Sequence, residues 1–250
     1  MNKTHKIGIV VPCYNEAKRI ELDFFEQFVL QNINCVFCFV DDGSSDETLE
    51  ILEEFTKKNS SNFIVINNKI NIGKAETVRK GILFLNSKNQ FDVIGFIDAD
   101  LATPLSEIIQ ITKIFEQENE KLIVFGARII HLGSQINRKF HRFILGRIFA
   151  SIVGWWILKS PIYDTQCGFK VFKSSVIDKI FSEPFKSKWF FDVELFCRLI
   201  QKYPNEDINL LAQEVFVRKW IDVKGSKIKL LDYFKVPFEL IKIKYYYKLK

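Results

Sequence analysis

The chain has 250 residues, 48% of them hydrophobic and 26% charged, which is typical of one large or two small globular domains. This composition excludes collagen, coiled-coil and disordered proteins. The formal net charge is +6, and residues 224–250, with eight lysines and two acidic residues, account for all of the excess. Five cysteines, an odd number, and the lack of a signal-peptide pattern before the first apolar run favour a reduced, cytoplasmic protein.

Short apolar runs alternate with polar helical stretches through the first half. Strands are predicted at Ile7–Val11, Cys35–Val40, Phe63–Ile66, Val93–Ile97 and Leu122–Phe125. Helices are predicted at Glu16–Leu30, Asp46–Lys57, Ala75–Leu85 and Pro104–Gln117. Nearly continuous hydrophobicity is typical of strands that are covered on both faces of a parallel sheet. The pattern therefore predicts an α/β fold with a doubly wound sheet, whose ligands bind at the carboxyl ends of the strands.

Capping residues mark two of the helix starts. Ser44 and Glu47 have the spacing of a capping box at the start of the second helix. Thr103 followed by Pro104 predicts an N-cap and the first helical position of the fourth helix.

Polar residues follow four of the predicted strands. In chain order, these segments are Pro12–Glu16, Asp41–Ser44, Asn71–Lys74 and Asp98–Asp100. Because the carboxyl ends of parallel strands meet at one edge, we expect the carboxylates to converge there. Asp98 and Asp100, two apart on an extended segment, point to the same side and could bind Mg²⁺ or Mn²⁺. Taken alone, this pair is explained equally well by a solvated turn.

Other common site motifs are missing or unfavourable. The sequence has no GxGxxG and no GxxxxGK[ST], so a dinucleotide oxidoreductase or a P-loop phosphotransferase is unsupported. Cys35 and Cys38 form a CxxC, but they lie inside a predicted strand without a second Cys/His pair nearby. We expect them to be core residues rather than zinc ligands or a redox pair.

The middle of the chain is basic and apolar. From Lys121 to Tyr163 there are seven basic residues, Lys121 included, and no acidic one, interleaved with aromatic and aliphatic side chains. The partner of this segment is therefore expected to be anionic and partly apolar. The longest uncharged apolar run, Ile148–Leu158, has eleven residues, whereas a bilayer crossing needs about twenty. It predicts an interfacial helix; a buried helix with Arg147 reaching the surface is the alternative.

The lysine-rich C-terminus contains aromatic and aliphatic residues among its charges. A basic amphipathic helix here would bind an anionic membrane surface. A solvated helix is the alternative, and a nucleic-acid-binding protein is a rival from another class. Carboxylates at three strand ends would repel a nucleic acid, so we expect no such partner.

Several motifs together resemble a known family. They are VVPCYNE (10–16), VDDGS (40–44), NIGKAETVRKG (71–81), DAD (98–100), DTQCGFKVF (164–172), WFFDVEL (189–195) and Trp220 with 225–227. This set resembles the family-2 inverting glycosyltransferases of GT-A fold, and among them the dolichyl-phosphate (polyprenyl-phosphate) β-glucosyltransferases. The fold implied is a Rossmann-like, mostly parallel central sheet flanked by helices. We accordingly expect a GT-A domain over 1–227 and a basic amphipathic tail over 228–250.

The resemblance implies a nucleotide-sugar site and a metal site. The residues implied for the nucleotide sugar are Pro12, Tyr14, Asn15, Glu16, Asp41, Asp42, Lys74, Asp98, Ala99, Asp100 and Arg128. Asp98 and Asp100 would hold Mg²⁺ or Mn²⁺. Ala102 offers no ligand, unlike the polar residue that mannosyl-type relatives often have there.

The resemblance also implies a lipid-phosphate acceptor. Its phosphate would meet Arg138, Arg142, Lys170 and Lys227. Asp192 is the candidate catalytic residue, as a general base or as an anchor for sugar hydroxyls. Glu194, two residues later, faces away from it on a helix. A phosphate oxygen is already ionised at pH 7 and needs little help from a base.

The reaction expected from this resemblance moves glucose from UDP-glucose to a polyprenyl phosphate at the cytoplasmic membrane face. Strand 1 begins at Ile7 and the tail is basic rather than spanning, so we expect peripheral attachment. The alternatives are another donor, such as GDP-mannose, or a glycan hydroxyl as acceptor.

Overall fold

A computed structural model describes residues 5–137, 140–221 and 236–248, with the backbone alone at 140–142. Within these ranges, seven strands form one sheet: β1 Ile7–Cys13, β2 Cys35–Asp41, β3 Phe63–Asn67, β4 Val93–Ile97, β5 Ile123–Ala127, β7 Phe169–Lys173 and β8 Ala212–Phe216. Two short strands, β6 Gln135–Asn137 and β9 Lys219–Ile221, pair separately.

Helices cover both faces of the sheet. They are α1 Leu22–Gln31, α2 Thr48–Lys58, α3 Lys74–Ser87, α4 Ser106–Gln117, α5 Phe140–Ile152, a π-helical segment Val153–Leu158, α6 Ser174–Phe181, α7 Phe191–Lys202, α8 Ile208–Leu211 and α9 Val236–Tyr247. One buried core lies against α3, α6, α7 and α9, and a second lies against α1 and α4.

The strand order in the sheet is β3-β2-β1-β4-β7-β5-β8. Strands β1 to β4 are parallel to their neighbours in this set, whereas β7 runs antiparallel to both β4 and β5. The α/β fold with a mostly parallel sheet is thus confirmed, and β7 is an antiparallel strand that the sequence pattern did not predict. Gly95 permits this insertion, because a Cβ there would lie 2.5 Å from the Lys170 carbonyl oxygen.

Both predicted capping motifs are wrong. Ser44 Oγ donates to Asp41, so it does not cap a helix, and α2 begins at Thr48. Helix α4 begins at Ser106, two residues beyond the predicted first position, with Leu105 rather than Thr103 at its N-cap. Ser44 instead bonds Asp41 in the turn after β2, and this use overrides the local capping pattern there.

The CxxC cysteines are buried on opposite faces of β2. Cys35 belongs to the core beneath α1 and α4, and Cys38 to the core beneath α3. Burial raises the pKa of Cys38 to about 12. The two thiols therefore cannot share a ligand, because residues three apart on a strand point in opposite directions.

The final described helix, α9, packs on α7 and the π-helical segment. Leu240, Ile243 and Tyr247 are buried there as part of the same core, whereas Phe238 and Tyr245 are exposed. Residues 228–235 and 249–250 of the predicted tail lie outside the described residues. Nowhere in the described ranges is a helix both long and apolar enough to cross a bilayer.

Candidate active site

The carboxyl ends of β1, β2, β3 and β4 bring their polar segments together, as the topology predicts. The backbone NH of Asn15 donates to Ser44 Oγ at 2.9 Å, which joins the first segment to the second. Lys74 Nζ lies 2.5 Å from Asp98 Oδ1, which joins the third segment to the fourth. These contacts define one polar rim along the edge of the sheet.

The turn after β2 depends on a glycine. Gly43 has a φ of +67°, and a Cβ there would lie 2.7 Å from the backbone N of Asn71. The buried Asp41 carboxylate accepts bonds from the Ser44 NH at 3.1 Å and from its hydroxyl at 2.5 Å. Asp41 therefore fixes the shape of this turn, where the nucleotide sugar is predicted to bind.

Asp42 shapes the segment that leads into α3. Its buried carboxylate accepts bonds from the NH groups of Ile72 and Gly73, both at 2.9 Å, and from Asn68 Nδ2 at 3.2 Å. Lys74 follows directly, so Asp42 sets the position from which Lys74 reaches Asp98. The nucleotide-sugar contact predicted for Asp42 would be added to these three bonds. Sequence reasoning missed Asn68, whose only signal is its place just after β3.

The segment after β1 holds an arginine that sequence reasoning also missed. Glu16 is buried and its carboxylate pairs with Arg19, whose Nη2 lies 2.6 Å from Oε1. The bond to Glu16 is the main cause that raises the pKa of Arg19, and the charges of Asp100 and Asp98 raise it further. Arg19 therefore places positive charge beside the DAD segment. Pro12 and Tyr14 are half-buried at the same strand end.

Asp98 is positioned by the chain that enters β7. Its NH donates to the Gly168 carbonyl at 3.1 Å, and a Cβ on Gly168 would collide with its carboxylate. Only glycine allows this approach. Gly168 lies in the quoted DTQCGFKVF motif, but sequence reasoning gave it no role.

Asp100 and Asp98 fit a divalent cation. Burial raises the pKa of Asp100, and the neighbouring charge of Asp98 raises it further, so a cation would relieve a repulsion that is already present. Within the described residues, no group of three or more His, Cys, Asp or Glu side chains could hold a metal ion. Mg²⁺ commonly uses one or two carboxylates and completes its shell with water and substrate phosphates. Ala99 between them is buried, so only its backbone faces the rim.

Arg128, just after β5, is held in a fixed orientation. Its Nε and Nη2 donate to the two oxygens of Asp164 at 2.6 and 2.8 Å, and its guanidinium lies 5.4 Å from the Trp220 ring centre. Burial lowers the pKa of Arg128, but the charge and hydrogen bonds of Asp164, together with the charges of Cys167 and Asp98, raise it, and the net shift is upward. Asp164 is itself held in place, because its backbone NH donates to the Glu214 carboxylate at 2.6 Å.

Asp192 lies at the start of α7 against a buried lysine. Lys170 Nζ is 2.5 Å from Asp192 Oδ1 and donates to the Cys167 carbonyl at 2.7 Å. Burial raises the pKa of Asp192, the charges of Lys170 and Lys74 lower it, and Asp98 raises it again. These mutual influences indicate that Asp192 belongs to the same rim as Lys74 and Asp98. The acceptor-phosphate contact predicted for Lys170 would require this ion pair to open.

Three of the four predicted acceptor-phosphate ligands have no described side chain. Arg138 and Lys227 lie outside the described residues, and only the backbone of Arg142 is described.

Glu194 faces away from Asp192, as expected, and accepts bonds from the NH groups of Lys186 at 3.0 Å and Ser187 at 2.5 Å. It is therefore a structural carboxylate rather than a second base.

A carboxylate-rich rim on a mostly parallel sheet suits a sugar nucleotide, and the sequence comparison agrees. The profile of glycosyl transferase family 2 matches residues 8–181. The chain belongs to this family. The predicted family is therefore confirmed, and with it the assignment of the chain as a glycosyltransferase.

Relatives of this family 2 glycosyltransferase carry a more specific description. It is 32% identical over 238 residues to the dolichyl-phosphate β-glucosyltransferase of Drosophila melanogaster, covering 89% of this chain and 69% of the relative. It is 30% identical to the human dolichyl-phosphate β-glucosyltransferase, covering 90% and 70%. A third, from Trichomonas vaginalis, is 28% identical, covering 97% and 74%.

Solved structures support the fold of this glycosyltransferase. Glucosyl-3-phosphoglycerate synthase of Mycobacterium tuberculosis, in complex with Mn²⁺, UDP-glucose and phosphoglyceric acid, superposes with a TM-score of 0.66. The match covers 97% of this chain and 79% of that one at 15% identity, so it supports the GT-A-like fold alone.

Proposed function

We propose that this family 2 glycosyltransferase moves glucose from UDP-glucose to a polyprenyl phosphate, with inversion and with Mg²⁺ or Mn²⁺. The observation that carries the proposal is the likeness, over most of the chain, to proteins described as dolichyl-phosphate β-glucosyltransferases. The rim geometry is consistent with it, because carboxylates and basic side chains alternate where a sugar diphosphate would lie.

The donor half of the reaction follows from the charges of the rim. Asp98 and Asp100 would hold the divalent cation, which when bound offsets the negative charge of the departing diphosphate. Arg19 and Lys74 lie beside these carboxylates and add positive charge. Lys74 would exchange its bond to Asp98 for one to the donor. The nucleotide would rest against Pro12, Tyr14 and the turn fixed by Asp41.

The acceptor half needs no strong base. An ionised phosphate oxygen attacks the anomeric carbon, so the new bond joins that carbon to the lipid phosphate while the bond to the nucleotide diphosphate breaks. Asp192 then has no proton to remove, and it would accept a hydrogen bond from a sugar hydroxyl. With a hydroxyl acceptor, the same carboxylate would be the general base.

An exposed apolar surface supports a lipid acceptor and peripheral membrane contact. We call it the α5–α9 surface, and it consists of Ile144, Leu145, Ile148, Ile152, Trp155, Trp156, Phe238, Ile241 and Tyr245. The residues from 144–156 and those from α9 are neighbours, since Lys244 Nζ on α9 lies 4.1 Å from the Trp156 ring centre. Aromatic and aliphatic side chains flanked by lysines are typical of helices that lie in the interface of an anionic membrane. The proposed site of action is the cytoplasmic face.

The experiment combines the purified full chain with polyprenyl phosphate in anionic vesicles and Mg²⁺ or Mn²⁺. Labelled UDP-glucose and GDP-mannose are supplied in parallel, and label in the organic extract is counted with and without a chelator. Chelator-sensitive transfer from UDP-glucose is expected. Labelling of lipid only from GDP-mannose would overturn the assignment of glucose as the transferred sugar. Labelling from neither donor would overturn the proposal for these donors and this acceptor.

A further inference from the structure

The last turn of α9 is hydrogen-bonded to the helix that carries Asp192. Tyr247 is 4% exposed; its hydroxyl donates to Glu194 Oε2 at 2.6 Å and accepts from Arg198 Nε at 2.9 Å. Its carbonyl accepts from Gln201 Nε2 at 2.5 Å. One residue near the C-terminus thus contacts three residues of α7.

Glu194 also fixes the segment that leads into α7. Its carboxylate accepts from the NH groups of Lys186 and Ser187, and Ser187 Oγ accepts from the Phe190 NH at 3.1 Å. Phe190 is the N-cap of α7, and Asp192 is the second residue of its first turn. The position of Asp192 therefore depends on how Glu194 holds the start of this helix.

The Tyr247 hydroxyl completes the set of donors around Glu194. Glu194 is fully buried, and a buried carboxylate needs hydrogen-bond donors in place of water. Burial and the hydrogen bond to Glu194 raise the pKa of Tyr247 by more than Arg198 lowers it, so its hydroxyl keeps its proton and remains a donor. Loss of this one donor would leave a buried acceptor underpartnered next to the first turn of α7.

We propose that Tyr247 is a positioning residue for Asp192. Its hydroxyl, through Glu194 and Arg198, holds the first turn of α7 so that the Asp192 carboxylate meets both Lys170 and the donor sugar. This inference rests on the proposed function, in which Asp192 acts on the sugar.

The test compares Tyr247→Phe with Tyr246→Phe in the full chain. Tyr246 is the neighbouring residue on α9 and is 55% exposed, so its variant controls for the loss of a hydroxyl from that helix. For Tyr247→Phe we expect kcat of glucosyl transfer to fall roughly tenfold, with the donor KM changed less than about twofold, because a misaligned Asp192 weakens a bond to the sugar hydroxyl that is stronger in the transition state than in the ground state. Tyr246→Phe should match the wild type in both constants.

Hydrogen exchange supplies a readout that does not need activity. The amides of residues 186–194 should exchange faster in Tyr247→Phe than in the wild type and Tyr246→Phe. Unchanged exchange there, an unchanged kcat, or a loss that appears only in the donor KM would overturn the inference. If the wild type transfers no glucose, the proposed function fails, and the exchange comparison then decides only whether Tyr247 holds the first turn of α7.

Discussion

Lys170 and Asp192 form a buried ion pair in which Nζ and Oδ1 are 2.5 Å apart and the lysine side chain is 0% exposed. The two residues come from different elements, β7 and α7. The charge on the candidate catalytic carboxylate is therefore set from inside the sheet rather than by solvent.

Lys170→Met should shift the pH dependence of activity. Burial raises the pKa of Asp192 and Lys170 opposes that rise, so without the lysine the pKa rises further. Activity that requires the ionised form is lost as pH falls through this pKa, so the acidic limb of kcat/KM should move to higher pH. Breaking a buried ion pair also costs about 3–5 kcal/mol of the free energy of unfolding. The measured rates must therefore be divided by the concentration of folded enzyme.

A second substitution on the same strand gives the comparison for this shift. Lys173→Met removes the lysine at the end of β7 that bonds the Asn119 carbonyl. It should leave the acidic limb in place. An acidic limb that stays unmoved in Lys170→Met would contradict the assigned role of the pair.

Asp192→Asn should distinguish the two kinds of acceptor. A general base that is lost costs roughly 10²–10⁴ in rate, whereas an anchor for a sugar hydroxyl costs much less. With polyprenyl phosphate we expect the smaller loss, measured as kcat at saturating donor. Asp23→Asn, an exposed change on α1, is the matched control. A loss in the larger range would favour a hydroxyl acceptor.

Gly168→Ala should disable the donor site through Asp98. The added methyl group collides with the Asp98 carboxylate, so UDP binding in the presence of Mn²⁺ should weaken by about tenfold or more, as titration calorimetry can measure. Gly81→Ala is also crowded, since its Cβ would lie 2.6 Å from a Val10 methyl, but it faces the core. It should lose about 1–3 kcal/mol of stability and keep UDP binding. Equal binding losses in both variants would refute the specific link to Asp98.

Trp155→Ala should weaken attachment to lipid without unfolding the protein. Trp155 is 85% exposed in the α5–α9 surface, so its removal should change stability by less than about 0.5 kcal/mol. Sedimentation with anionic vesicles should show a clear fall in the bound fraction. Leu30→Ala removes an exposed apolar side chain from α1 and should leave binding unchanged. Identical vesicle binding by both variants would exclude this surface as the lipid contact.

Much of the sheet could be predicted because strands that are buried on both faces have nearly continuous apolar sequences. The first five strands lie within a few residues of the predicted bounds. The antiparallel β7 could not be predicted in the same way, because it contains Lys170 at a fully buried position. A lysine in an apolar run is read as a surface residue until its partner is known, and Asp192 is 22 positions away.

The site was predictable as far as strand ends determine it. Lys74 and Asp98 meet because the topology of a parallel sheet brings the polar segments at the strand ends together. Asn68 and Gly168 act through contacts with Asp42 and Asp98 in other segments, and neither local pattern nor composition marks them. Arg19 pairs locally with Glu16, but the fold alone reveals its charge beside Asp98 and Asp100. The capping prediction at Ser44 failed for the related reason that Ser44 bonds Asp41 instead of a helix terminus.

The docking of α9 has a consequence for how membrane attachment can be studied. A chain shortened before Val236 would lose exposed Phe238 and Tyr245, but it would also uncover the core packed by Leu240 and Ile243 and detach Tyr247 from Glu194. Inactivity of such a fragment would report a damaged interior as readily as a missing lipid contact. The proposed lipid contact of α9 and its proposed support of Asp192 share one helix, so on α9 they are separated by changing outward side chains one at a time rather than by truncation.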